Sequence, residues 1–206
     1  VAFNRRYFPL VERFKELVDA LDGPYLAACN FCRSERYDSQ KFAAAPDTHD
    51  FPFVVGTAIH GLDLLAHLFG EIAHCETTPL AVQTNQTHAW LARLRFASGL
   101  AGEARLLPCS GSSTEWIEVH SQRRSLYLRA GFLFGTSDDA GSIEIHEGGK
   151  LVERIAGEAE SPPVVRCGFV GEYLDLFRAM RDGRRPCANL ATSISTMRVC
   201  EQIEPT

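Results

Sequence analysis

Apolar positions recur along this chain with two different periods, and the change from one to the other divides it into parts. Residues 10, 11, 14, 17, 18 and 21 are apolar at spacings of three and four, which predicts an amphipathic helix over Leu10–Leu21, with Pro9 in its first turn and Gly23 at its end. The same spacing returns at 55, 58, 59, 62, 65, 66 and 69 and predicts a buried helix that Gly70 stops. Between these two, Tyr25 to Phe31 reads as a buried strand, and residues 33–50 as a long irregular connection. After Gly70 the period falls to two. Ile72 to Val82 reads as a strand, and Trp90, Ala92, Leu94 and Phe96 alternate with Leu91, Arg93 and Arg95. Trp116 to Val119, Ser125 to Leu128 and Ser142 to His146 are further strands, and Glu147-Gly148-Gly149-Lys150 predicts a hairpin turn into Leu151–Ile155. Helical spacing resumes over Phe169–Arg181, closed by Gly183, and over Leu190–Ile203, opened by Asn189 as N-cap.

Helices flanking a long run of strands indicate the α+β class: an open, mainly antiparallel sheet with helices on one face, in a single domain spanning 1–206. The other face of such a sheet is expected to carry Trp90-type apolar residues and to need a cover. Homo-oligomerisation through that face follows as an expectation.

Composition narrows the function. A chain of 206 residues with 45% hydrophobic residues can bury a sizeable core. A formal charge of −5, with Arg pairs scattered at 5–6, 123–124 and 184–185, argues against a nucleic-acid partner. No apolar run approaches the roughly 18 residues of a membrane span, and the N-terminus has no leader pattern, so a soluble, cytoplasmic protein is expected. Seven cysteines at irregular spacing suit reduced thiols. Cys29 and Cys32 alone have metal or redox spacing, but in a strand residues three apart point to opposite faces.

The buried helix carries the candidate chemistry. His60, Asp63 and His67 fall at i, i+3 and i+7 on one stripe, and an imidazole with a carboxylate one turn on is suited to proton transfer. A packing histidine is the plainer alternative. A metal site built from these three would need ligands from elsewhere, because three ligands along two turns do not converge on one ion.

Three stretches, in order, resemble the C-terminal domain of the Gfo/Idh/MocA oxidoreductases, the glucose–fructose oxidoreductase and inositol dehydrogenase relatives. Val1-Ala-Phe-Asn-Arg-Arg6-Tyr-Phe-Pro9 is similar to the family's strand, Asn-Arg-Arg-aromatic loop and helix-initiating Pro. Gly56-Thr-Ala-Ile-His60-Gly-Leu-Asp63 is similar to its signature of an Asp, a Gly two on, a His four on and an Asp three beyond that. Phe169 to Pro186 resembles its Glu-containing helix, here with Glu172, closed by Gly and Pro.

The resemblance implies a two-domain oxidoreductase in which an upstream Rossmann domain binds NAD or NADP and the present domain contacts a sugar or polyol and self-associates. Nothing in this sequence matches Gly-x-Gly-x-x-Gly, so the dinucleotide-binding domain is expected upstream of Val1 and no cofactor is expected on this piece. Carried over by position, His60 is the proton-transfer residue, Arg5 or Arg6 contacts the substrate, and Asp63 orients the helix or the imidazole. One position departs from the pattern: Gly56 stands where the family has its Asp. A non-catalytic ligand-binding or scaffolding member of the family is therefore the alternative.

Overall fold

The computed structural model describes residues 3–33, 53–81, 88–131 and 140–204. Most of the irregular connection expected over 33–50, together with Val1, Ala2 and Val82, lies outside the described residues.

A 3-10 turn, Asn4–Tyr7, leads into α1, Pro9–Asp19. The strand β1, Leu26–Cys32, follows. The central helix opens with a π turn, Val54–Ala58, and continues as α2, Ile59–Phe69. Seven strands then run in succession: β2 Ile72–Ala81, β3 His88–Phe96, β4 Ala101–Leu107, β5 Thr114–His120, β6 Arg124–Ala130, β7 Gly141–Glu147 and β8 Lys150–Ala156. The short α3, Pro163–Arg166, precedes α4, Phe169–Asp182, and α5, Leu190–Ile203. Asn189 caps α5 as expected, its side chain accepting from Ala191 and Thr192, with Thr192 completing a capping box.

The eight strands make one open sheet in the order β2-β3-β4-β1-β5-β6-β7-β8. Neighbours pair antiparallel except β1 with β4, which run parallel. The sheet is thus the mainly antiparallel one that the periodicity indicated, with β1, first in sequence, inserted at its centre. Pro79 is tolerated because β2 is an edge strand.

One face of the sheet packs on the helices. Ala27, Cys29 and Phe31 of β1, Leu94 and Phe96 of β3, Ile117 and Val119 of β5, and Leu126 and Leu128 of β6 join Val11 and Phe14 of α1 and Leu62 and Leu65 of α2 in a continuous core. At Gly61 helix and sheet come so close that a Cβ would stand 2.6 Å from Phe31 Cδ2. This contact sets the height of α2 over β1, and with it the place of His60.

The outer face differs from the expectation. Trp90, half-buried, packs against the core on the helix side. The residues turned outward include Leu91, Arg93, Arg95, Arg105, Glu118, His120 and Glu144, with an aromatic ladder of Trp116, Tyr127 and His146 whose successive ring centroids are 6.0 and 5.2 Å apart. Strict alternation explains the correction: Trp90 shares its parity with Leu94 and Phe96, so all three face the core. No helix among the described residues is long and apolar enough to cross a membrane.

Candidate functional site

His60 and Arg5 meet where the 3-10 turn, the first turns of α2 and the adjoining ends of β1 and β5 come together. His60 projects from α2 as a half-buried ring set edge-on to Phe3, with centroids 6.0 Å apart at 89°. Its Nδ1 is buried and has no hydrogen-bond partner among the described residues. Burial, and after it the positive charge of Arg5, lower the imidazole pKa to about 4, so the ring is neutral at pH 7. An orphaned buried nitrogen is uncommon enough to call for a reason, and a ligand or proton-transfer role is one.

Beside His60 lies a buried ionic cluster. Glu115, 4% exposed, accepts from Arg5 through Nε–Oε2 and Nη2–Oε1, both 2.6 Å, and from Arg33 Nη2 through Oε1, also 2.6 Å. Arg33 stacks over the Phe31 ring, its Cζ 3.8 Å from the centroid. Burial alone would push the Glu115 carboxyl up, but the two guanidiniums outweigh it and hold the group below the usual glutamate range.

Arg6 and Asp63 lie elsewhere. Arg6 Nη2 and Nε donate to Asp63 Oδ1 and Oδ2 at 2.5 and 2.8 Å, Thr196 Oγ1 donates to Oδ1 at 3.3 Å, and Arg6 Nη1 donates to the Cys187 carbonyl at 2.7 Å. Both side chains are sealed, at 5% and 1% exposure. Of the two roles expected for Asp63, orienting the helix or the imidazole, its contacts favour the first: the carboxylate is taken by Arg6 and Thr196, and among the described residues no hydrogen bond joins it to His60. In the same way Arg6, expected beside Arg5 as a substrate contact, faces the interior. Of the paired arginines, Arg5 is the one next to His60. His67, a turn further along, has its Nδ1 3.8 Å from Cys187 Sγ, so the three polar residues of the stripe serve three separate neighbourhoods.

Sequence reasoning did not single out Glu115 or Arg33. A signal was present: Glu115 shares the parity of Ile117 and Val119, and Arg33 that of Cys29 and Phe31, so each is a charge on a core-facing position.

The described residues do not fit a dinucleotide. No glycine-rich turn precedes a helix, and where the central helix begins, the Val54 N–H already donates to Glu204 Oε2 at 3.0 Å. A carboxylate there repels a pyrophosphate. Among the described residues no group of three or more His, Cys, Asp or Glu is placed to hold a metal ion.

No protein-family model matches the sequence, and no curated protein matches it. Solved structures do share its fold. A putative NADPH-dependent oxidoreductase from Desulfitobacterium hafniense superposes with a TM-score of 0.75 at 16% identity, over 98% of this chain and 60% of that one. The dehydrogenase MviM from Clostridium difficile gives 0.71 at 18% identity, with the same coverage. The WlbA dehydrogenase from Bordetella pertussis, solved with NADH and UDP-GlcNAcA, gives 0.72 at 14%, again over 98% and 60%. At these identities the likeness is one of fold, and the fold is that of the C-terminal domain of Gfo/Idh/MocA oxidoreductases. The chain spans about 60% of the length of these structures.

Proposed function

We propose that this chain is the substrate-binding domain of an NAD(P)-dependent oxidoreductase acting on a hydroxyl of a sugar or polyol. The supporting observation is His60: a neutral, half-buried imidazole with an orphaned Nδ1, set beside Arg5 in a fold shared with dehydrogenases. A neutral imidazole accepts a proton from a substrate hydroxyl, and the guanidinium beside it favours the alkoxide that develops. Arg5 is the substrate-side cation in this reading, and Arg6 and Asp63 hold the helix in place. In this reading NAD or NADP binds in another part of the full-length protein, in keeping with the carboxylate of Glu204 at the start of the central helix.

Self-association through the outer sheet face is part of the same proposal. It would cover the Trp116–Tyr127–His146 ladder and a mixed-charge surface instead of the apolar one expected from sequence. A cytoplasmic location accords with it.

A second reading is favoured by one position. Gly56 supplies no carboxylate to the orphaned Nδ1, which suits a family member that binds a sugar-like ligand without turning it over. Assaying the full-length protein with NAD and NADP against a panel of sugars, sugar acids and nucleotide sugars separates the two. Substrate-dependent reduction of the dinucleotide supports the first; saturable sugar binding without reduction supports the second.

A further inference from the structure

Helix α4 is turned the opposite way from an ordinary surface helix. The residues it directs at the domain are small or charged. Gly171 comes so close to the 3-10 turn that a Cβ would stand 2.9 Å from Tyr7 Cβ, and Ala179 is buried. Glu172 Oε1 accepts from the Phe3 N–H at 2.9 Å, and Asp175 Oδ2 accepts from the Tyr7 hydroxyl at 2.8 Å. The other face carries Val170, Tyr173, Leu174, Phe177 and Met180 at helical spacing. All five are exposed, Phe177 at 61% and Met180 at 71%. An apolar stripe left outward on a helix that is held by polar contacts marks a surface that another body covers.

What lies next to the stripe identifies that body. Phe3 touches both α4 and the candidate site: its N–H is bonded to Glu172, and its ring stands edge-on to His60 with centroids 6.0 Å apart. The turn on which α4 packs, Asn4–Tyr7, also carries Arg5. A domain that brings a dinucleotide up to His60 therefore arrives alongside α4. The solved structures that share the fold match over about 60% of their length, so each has a further part outside the match. A second copy of the chain is already given the outer sheet face in the function proposed above.

We propose that the outward face of α4 is the docking surface for the dinucleotide-binding part of the same full-length chain. The five apolar side chains form the centre of the contact, and the exposed Arg178 and Arg181 flank them, an apolar centre with a polar rim. Phe3, between the stripe and His60, joins the docking surface to the site. The inference rests on the reading that the cofactor is held elsewhere in the full-length protein, and it adds which surface of this domain that part covers.

The test is photo-cross-linking of the full-length protein with Phe177→p-benzoylphenylalanine, at a low and a high protein concentration, followed by peptide mass spectrometry. The expected product is intramolecular, equally abundant at both concentrations, and joins position 177 to a peptide outside residues 1–206. A cross-link to a peptide within 1–206, a cross-link to a second copy, or none at all overturns the proposal. Should that variant not fold, oxidation of the wild-type full-length protein by hydrogen peroxide decides. Met180 is expected to react no faster than Met197, the other methionine of the chain, which is half-buried against the core. A Met180 that reacts several times faster is uncovered and overturns the docking. Neither readout depends on turnover: a protein that binds sugar without reducing the dinucleotide still gives the intramolecular product, and an active enzyme with a freely oxidised Met180 contradicts the docking alone.

Discussion

Arg6 and Asp63 close a bidentate ion pair in the interior, 2.5 and 2.8 Å across, that ties the 3-10 turn before α1 to the middle of α2. Thr196 of α5 adds a third hydrogen bond, so three separate elements meet on one carboxylate. Removing one partner of such a pair leaves an uncompensated buried charge. Asp63→Ala is expected to lower unfolding free energy by about 3–5 kcal/mol in urea denaturation. The double replacement Arg6→Met with Asp63→Leu is expected to recover most of that loss, because a well-packed apolar pair avoids the desolvation cost. A loss below about 1 kcal/mol in Asp63→Ala would mean that the carboxylate is solvated and free for substrate.

Gly61→Ala tests the close approach of helix and sheet. The added methyl would meet the Phe31 ring at 2.6 Å, and Phe31 is fully buried, with Arg33 stacked on it. Overpacking of this kind costs about 1–3 kcal/mol. The melting temperature is expected to fall, and the chemical shifts of His60, the next residue, to move with it.

Acid should destabilise the fold in two stages. His60 and His67 have folded pKa values lowered to about 4 against an ordinary 6.5, so the unfolded chain binds more protons between those values. Stability is therefore present in full above about pH 6.5 and is lost as pH falls toward 4, with a slope of up to about 1.4 kcal/mol per pH unit for each ring. Glu115, held below the usual glutamate range, adds stability that is present above that range and is lost as pH falls through its depressed value. Denaturation midpoints from pH 8 to 4 check the first stage. A flat profile between pH 7 and 5 would show that the two rings are solvated.

Gly56→Asp places a carboxylate four residues before His60, within the π turn. A negative charge there favours the imidazolium, so the His60 pKa is expected to rise from about 4 toward its ordinary value. An NMR titration of the ring reads this directly; an unmoved pKa would place the new side chain out of reach.

The fold was largely legible because period is a property of the sequence alone. Helices α1, α2, α4 and α5 follow a repeat of three to four and strands β3, β5, β6 and β7 a repeat of two, whereas β1 is a nearly continuous buried run and the edge strands β2 and β8 are mostly exposed. Strand β4 was not foreseen, since Ala101-Gly-Glu-Ala-Arg has almost no β-branched or aromatic residue. It is a strand because its neighbours require one: Gly102 lies where a Cβ would meet the Phe96 ring at 2.7 Å, so only a small residue fits under that side chain. The parallel pairing of β1 with β4 also depends on contacts far apart in sequence. At the site, the helical stripe placed His60 and Asp63 near one another correctly in sequence terms but could not show that Arg6, 57 residues away, claims the carboxylate first. Partner choice among buried charges is settled by tertiary geometry, to which local spacing is blind.

The central claim is that His60 is the proton-transfer residue of a sugar or polyol oxidoreductase. Its most direct test is the steady-state kinetics of His60→Ala in the full-length protein, with circular dichroism to confirm folding. The account predicts a kcat lowered by roughly 10²–10⁴ with the fold retained. A His60→Ala enzyme that turns over at the wild-type rate would contradict it.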